Sequence, residues 1–389
     1  MKPAARLWLS RALLGAFILG LIIVAFLAYR LSRQVNLSGI TDPGGLAEVS
    51  VPPGFSANVF ASGLNGPRFI EFGADGVLYV ADRMNNRIVA LPDVNGDGVA
   101  DETRVFAADV PSPHSLVFHE GAWYVGVPTG VIKLQDTDGD GVADSRATLI
   151  DNYPTFGHNT RTVLFLPDGR MVVSIGSSCN VCIEDDGRRG GIVAYDGPEA
   201  TGEKIFATGL RNAVGLSLHP ETGELWASNN GRDLMGDDTP PETVYLVKEG
   251  ADYGWPRCHA GDIVDPEFGF EGACNGVGRP VIEMQAHSAP LGLAFYTGTT
   301  FPLEYHGDLF VAFHGSWNRS QPTGYKVVRV PMEGSAPSGL VEDFAWGWID
   351  EGNDDVSGRP VGLAVGPDGA LYVSDDKGGF IYRISYSGG

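Results

Sequence analysis

"PVGLAVGPDGALYVSD", residues 360–375, decides the architecture. An apolar run, a Pro-Asp-Gly turn and a second run carrying an aromatic make one β-hairpin. The same plan occurs five times upstream: "GPRFIEFGADGVLYVAD" (66–82), "PHSLVFHEGAWYVGV" (113–127), "TRTVLFLPDGRMVVSIG" (160–176), "AVGLSLHPETGELWASN" (213–229) and "PLGLAFYTGTTFPLEYHGDLFVAFHG" (290–315). Most are followed by a third apolar segment: "NRIVAL", "GVIKL", "GGIVAY", "ETVYLV", "GYKVVRV", "GFIYRI". Short strands with Gly-rich turns, repeated six times at this pitch, predict an all-β, six-bladed β-propeller. The 54 Gly and 25 Pro suit that many tight turns. No helical period of useful length follows residue 33.

The first 33 residues stand apart. "ALLGAFILGLIIVAFLAY", Ala12–Tyr29, is free of charge and long enough to cross a bilayer as one helix. Lys2, Arg6 and Arg11 precede it, which puts the N-terminus in the cytoplasm, although Arg30 and Arg33 weaken the asymmetry. The expected organisation is an N-terminal transmembrane helix or signal segment over 1–33, a linker over 34–49 and the propeller over 50–389. An uncleaved anchor gives a single-pass protein of the inner (cytoplasmic) membrane with a periplasmic domain. The alternative is a cleaved signal peptide and a periplasmic protein, but "FLAYRLSR" has no clean small-x-small cleavage site. The four cysteines agree with export and read first as two local disulfides, Cys179–Cys182 and Cys258–Cys274. A redox CxxC lacks its βαβ setting here, and a zinc site lacks a second CxxC knuckle. The formal charge of -21 excludes a nucleic-acid partner, which needs a basic face.

"DVNGDGVADE" (93–102) and "DTDGDGVADS" (136–145) each resemble the first nine positions of a calcium loop. The ligand positions are Asp93, Asn95, Asp97 and Asp101 in the first, and Asp136, Asp138, Asp140 and Asp144 in the second. Both strings follow the third strand of a blade and precede the next blade, so they occupy equivalent loops of neighbouring blades. The twelfth position, where a bidentate Glu is expected, holds Arg104 and Ala147. The expected sites are therefore structural and of modest affinity. Asp/Gly-rich turns without an ion are the alternative, since these residues favour turns anyway.

A propeller gathers strand ends around a central channel, so chemistry is sought there. His158 precedes the first strand of blade three, Arg211 and Asn212 that of blade four, and Arg359 that of blade six. "ASNNGRDLMGDD" and "HGSWNRS" follow the second strands of blades four and five. Arginines converging with a histidine suit a small, strongly anionic ligand, because guanidinium groups grip carboxylates bidentately.

"HNTR", "GLRNAVGL", "NNGRD", "DYGWP", "HSAPLGLAFY", "HGSWNR" and "GRPVGLAVGPDGALYVSDD" together resemble the glucose/sorbosone dehydrogenases, six-bladed propellers using pyrroloquinoline quinone (PQQ) and calcium. The likeness is closer to the sorbosone-dehydrogenase-like and aldose sugar dehydrogenase branch than to soluble glucose dehydrogenase. It runs from about residue 50 to the end. It implies a PQQ-dependent sugar dehydrogenase that oxidises an aldose or a sorbosone-like sugar and passes electrons to a quinone or cytochrome. His158 is then the general base, taking the hydroxyl proton while hydride passes to the C5 carbonyl carbon of PQQ. Arg211 steadies charge developing on the quinone oxygen. Asn212 hydrogen-bonds the cofactor, and Arg319 and Arg359 pair with its carboxylates. The main-chain carbonyls of Gly231 and Arg232 hold the calcium that polarises the quinone. Two departures stand out: Gly157 replaces the acid that precedes the histidine in soluble glucose dehydrogenase, and Gly-Arg replaces its Gly-Pro metal-carbonyl pair. The rival functions are a calcium-dependent lactonase-type hydrolase and a non-catalytic propeller that binds a partner, since fold alone does not choose between them. A lactonase needs carboxylates and Asn around a central metal, whereas the blade starts carry Arg and His. "HGSWN" also lacks the serine-hydrolase elbow.

Overall fold

The computed structural model describes residues 17–26, 44–350 and 352–388. Residues 17–26, inside the apolar run, are helical, and the rest of that run lies outside the described residues. No helix among the described residues is long and apolar enough to cross a membrane.

Six four-stranded antiparallel sheets form the propeller. Their innermost strands are Pro67–Phe72, Ser115–His119, Val163–Phe165, Ala213–Leu218, Pro290–Phe295 and Pro360–Val365, one from each of the six sequence repeats. Each blade also has a fourth, outer strand that the hairpin pattern does not announce, such as Arg104–Ala107 in blade one and Ser145–Ile150 in blade two. The two Asp-rich loops therefore connect a third strand to the fourth strand of the same blade. In blade six the outer strand comes from the other end of the chain: Phe55–Ala61 pairs antiparallel with Phe380–Tyr386, Phe55 opposite Tyr386. That pairing closes the ring.

The repeated "GL" of the inner strands has a steric cause. A Cβ on Gly215 would lie 2.1 Å from the carbonyl oxygen of Leu291, and one on Gly292 would lie 2.4 Å from that of Val361. Only glycine lets adjacent inner strands approach this closely around the channel. Hydroxyls complete the girdle: Ser228 Oγ donates to the Leu291 carbonyl, Ser374 Oγ to that of Arg68 and Ser115 Oγ to that of Arg161. Further out, blades meet through apolar faces. Trp226 and Phe295 pack edge-to-face between blades four and five, and Tyr79, Phe106 and Trp123 cluster between blades one and two. Truncating one such buried side chain to Ala costs roughly 2–5 kcal/mol.

Both disulfides form as the sequence predicts, Cys179–Cys182 and Cys258–Cys274. The second lies in a long excursion between the third and fourth strands of blade four. This excursion returns to the start of that blade, where Trp255 N donates to the Gly209 carbonyl.

Candidate active site at the channel mouth

In an antiparallel blade the first strand begins where the second ends. The residues preceding first strands (His158, Arg211, Asn212, Arg359) and those following second strands (Ser177, Asn230, Gly231, His314, Asp376) therefore share one end of the propeller. The Asp-rich loops join third to fourth strands and lie at the opposite end.

On blades three and four, His158 sits beside Gly176, where an added Cβ would be 2.6 Å from His158 Cβ and 2.5 Å from Asn212 Oδ1. His158 Nδ1 lies 3.0 Å from both the carbonyl oxygen and Oγ of Ser177. Ser177 Oγ spends its own hydrogen on the Cys179 carbonyl at 2.7 Å, so it offers His158 only a lone pair. Nδ1 must then carry the proton, and Nε2 is the free base. Burial, then the Arg211 guanidinium, lowers the imidazole pKa to about 4. His158 is thus neutral at physiological pH, with its lone pair on the unengaged nitrogen.

Arg211 is buried and held on several sides. Nε donates to the Asn180 carbonyl (2.9 Å), Nη2 to Asn180 Oδ1 (3.0 Å) and to Asp233 Oδ2 (2.6 Å), and Nη1 to the Asn230 carbonyl (3.4 Å). Four of its five N–H groups are engaged, leaving one on Nη1. Asn212 donates Nδ2 to Asn230 Oδ1 at 3.4 Å, and its Oδ1 accepts no hydrogen bond among the described residues. Gly231 N donates to Glu242 Oε2 (2.7 Å), a buried carboxyl whose pKa burial pushes up to about 7. The Arg232 side chain turns outward to Asp265 and Glu267. The carbonyls of Gly231 and Arg232 accept no hydrogen bond among the described residues, which suits them to hold a cation.

A second cluster joins blades five, six, one and two. Arg68 pairs with Asp376 (2.6 Å) and donates Nε to His114 Nδ1 (3.2 Å); His314 Nε2 meets the other Asp376 oxygen at 2.9 Å. Arg359 donates to the carbonyls of His314 and Gly315 at 2.9 and 2.7 Å. Because Arg68 must donate, His114 carries its proton on Nε2, and that N–H is buried with no hydrogen-bond partner among the described residues. Such an orphan donor is what a bound polar ligand satisfies. Arg83 Nη2 reaches Asn159 Oδ1, the residue after His158, at 3.3 Å.

Arg319 is partly engaged within the protein. Its guanidinium bonds the Asp237 carbonyl and the Asp238 carboxylate (3.0 Å), so it braces a blade-four loop. His287 is fully engaged by Gly236 and Asn318, a structural histidine. In the Asp-rich loops, Asp93 accepts from Gly96 N, Asp97 N and Gly98 N, and Asp136 from Gly139 N and Gly141 N. Asp136, Asp138 and Asp144 bring carboxylate oxygens within 4.8 Å of one another. No comparable carboxylate cluster occurs at the channel mouth among the described residues.

Residues 49–387 match the family described as TrAA12-like, and the chain belongs to that family. It is similar to the pyrroloquinoline quinone-dependent pyranose dehydrogenase of Coprinopsis cinerea, at 26% identity over 88% of this chain and 55% of that protein. It also matches the pyrroloquinoline quinone-dependent sugar dehydrogenase of Hypocrea jecorina, at 25% identity over 86% of this chain and 88% of that one. An uncharacterized protein of Borreliella burgdorferi is 34% identical over 56% of this chain. The chain spans only 58% of that protein and 55% of the Coprinopsis one. Among solved structures, the holo PQQ domain of the Coprinopsis cinerea enzyme superposes with a TM-score of 0.76 at 24% identity, covering 88% of this chain and 98% of that domain. The calcium structure of the Trichoderma reesei family AA12 enzyme gives 0.75 at 24% identity, covering 90% and 98%. These likenesses establish the propeller.

Sequence reading missed Ser177, Asn180, Asp233, Arg68 and Asp376. Asn180 looked like a spacer between cysteines. Asp376 had a signal: the acidic pair that ends "VSDD" also follows a second strand.

If the His158 environment is as described, its imidazole in cofactor-free protein should titrate near pH 4. Histidine-selective NMR, with His158→Ala for assignment, measures this; titration near 6.5 would contradict it. The unfolded chain takes up this proton at the ordinary value near 6.5. The stability this group contributes is therefore complete above pH 6.5 and is lost as pH falls toward 4.

Proposed function

We propose that this domain oxidises a sugar hydroxyl using PQQ and calcium bound at the channel mouth, outside the cytoplasm. The observation that carries this is the pair of acceptors Ser177 presents to His158 Nδ1, which leaves Nε2 as the base within electrostatic reach of the caged Arg211. The names of the Coprinopsis and Hypocrea relatives support the cofactor and the substrate class. When bound, PQQ supplies the two-electron acceptor, and calcium supplies the charge that polarises it.

The chain does the rest. His158 Nε2 takes the hydroxyl proton, and Ser177 keeps Nδ1 protonated and the ring oriented. The remaining Arg211 N–H is pre-aimed, so it stabilises negative charge without reorganising. Asn212 Oδ1 and the Arg359 guanidinium are set to contact the cofactor's polar rim. The Gly231 and Arg232 carbonyls are the expected cation ligands. The apolar run Ala12–Tyr29 and the two disulfides support export of the domain, by anchor or by cleaved signal. A quinone or cytochrome then receives the electrons.

The test is to add PQQ and calcium to purified protein, follow binding by absorbance, and screen aldoses with an artificial electron acceptor. Saturable PQQ binding with calcium-dependent oxidation of at least one aldose is expected. No PQQ binding, or lactone hydrolysis in its absence, would overturn the assignment.

We also propose that the two Asp-rich loops hold calcium for stability, being at the end of the propeller away from His158. Replacing Asp97 and Asp140 together by Ala should lower the melting temperature measured in calcium and leave turnover of the folded protein nearly unchanged. A loss of turnover at unchanged melting temperature would contradict this.

A further inference from the structure

One loop, Ser177 to Glu184, touches both His158 and Arg211. Asn180 makes five hydrogen bonds: its carbonyl accepts from Arg211 Nε (2.9 Å) and Trp255 Nε1 (3.3 Å), its Oδ1 from Arg211 Nη2 (3.0 Å) and Asp233 N (2.8 Å), and its Nδ2 donates to the Asp233 carbonyl (3.0 Å). One residue later than Ser177, Ser178 donates N and Oγ to the two oxygens of Glu184, at 2.6 and 2.8 Å. The disulfide Cys179–Cys182 staples the loop between these contacts. The carbonyl of Cys179 takes the Ser177 hydroxyl hydrogen and thereby fixes what Ser177 can offer His158. A four-residue turn thus governs two functional side chains on two blades.

We propose that this disulfide-closed loop is the positioning element of the site, with Asn180 the positioning residue for Arg211 and the Cys179 carbonyl setting the His158 tautomer through Ser177. This rests on the reading of His158 as base and Arg211 as charge stabiliser. The physical reason lies in entropy and geometry. Backbone carbonyls orient side chains only while their own φ/ψ are fixed, and a short staple removes that freedom at small strain. Asn180 is well suited because an amide side chain accepts and donates in one plane, so Arg211 and the Asp233 peptide are registered against one another. Misorientation of a catalytic group by about 1 Å costs on the order of 10²-fold in rate.

Three variants test it: Asn180→Ala, Asn180→Asp, and Cys179→Ser with Cys182→Ser. PQQ affinity is measured by absorbance titration, and the His158 tautomer and pKa by ¹⁵N NMR of cofactor-free protein. Asn180→Ala should weaken PQQ binding about 10-fold and leave the His158 tautomer unchanged. Asn180→Asp keeps the Oδ1 acceptor but turns an oxygen toward the Asp233 carbonyl, so it should restore only part of that affinity. The double serine variant should lower affinity similarly and also give His158 a mixed tautomer. Asn180→Ala keeps the disulfide, so it tests the proposal even if the double variant misfolds. Wild-type affinity in Asn180→Ala, or an unchanged His158 in a folded double variant, would make the loop a mere staple and overturn the proposal. The NMR arm needs no cofactor, so a failure of PQQ to bind would defeat the assigned function without touching the tautomer result.

Discussion

His158→Ala is expected to lower turnover by about 10²–10⁴-fold, the usual loss for a positioned general base, while PQQ affinity changes little. The imidazole is held through Nδ1 by Ser177, and its free Nε2 faces away from that contact. Removing the ring therefore deletes a proton acceptor and leaves the Arg211–Asn180–Asp233 cage intact. Burial already holds the ring neutral, so no buried charge is orphaned, and the folded state should tolerate the change. Steady-state kinetics with a saturating aldose and absorbance titration of PQQ together decide the matter. Wild-type turnover in the variant would remove His158 from the chemistry.

Arg211→Ala should act on both stability and function. Its partner Asp233 is mostly buried, and the ion pair is 2.6 Å long. Removing one member of such a pair leaves an uncompensated carboxylate and costs about 3–5 kcal/mol. PQQ binding should fall with it, since the remaining N–H and the positive charge are both lost. The double variant Arg211→Ala with Asp233→Ala separates the two effects. It should recover much of the stability, because no lone charge remains, and none of the cofactor affinity. Chemical denaturation and PQQ titration of wild type, Arg211→Ala, Asp233→Ala and the double variant form a double-mutant cycle. Recovery of PQQ binding in the double variant would mean that Arg211 serves folding alone.

The blade hairpins were legible because period-two alternation and Pro-Asp-Gly turns are local. The outer strands were not. Arg104–Ala107 and Ile282–Met284 are short, and the second follows a long excursion, so nothing nearby marks them as strands. The helical segment at 17–26 fits the apolar run, but its length across a membrane lies outside the described residues. At the site, His158, Arg211, Asn212 and Arg359 could be found because each opens a repeat. Their governors could not, because main-chain carbonyls of Ser177, Cys179 and Asn180 do much of the holding, and a carbonyl has no signature in residue type. Arg319 shows the opposite limit. Its place in a motif suggested a ligand, while residue type gave no sign that three of its five N–H groups brace Asp237, Asp238 and Ala286.

The seam in blade six sets an order of events for making the protein. Ser56 and Ser385 face one another across it, 329 positions apart. Synthesis delivers the chain from its N-terminus, so Phe55–Ala61 emerges early and waits for nearly the whole chain before its partner exists. Until then the nascent protein carries an open strand edge at each end of an arc of blades, the kind of edge that recruits other chains. Contacts this distant are also slow to form. Loss of Phe380–Tyr386 would therefore do more than trim one blade: it would leave an unclosed arc whose two raw edges invite end-to-end association.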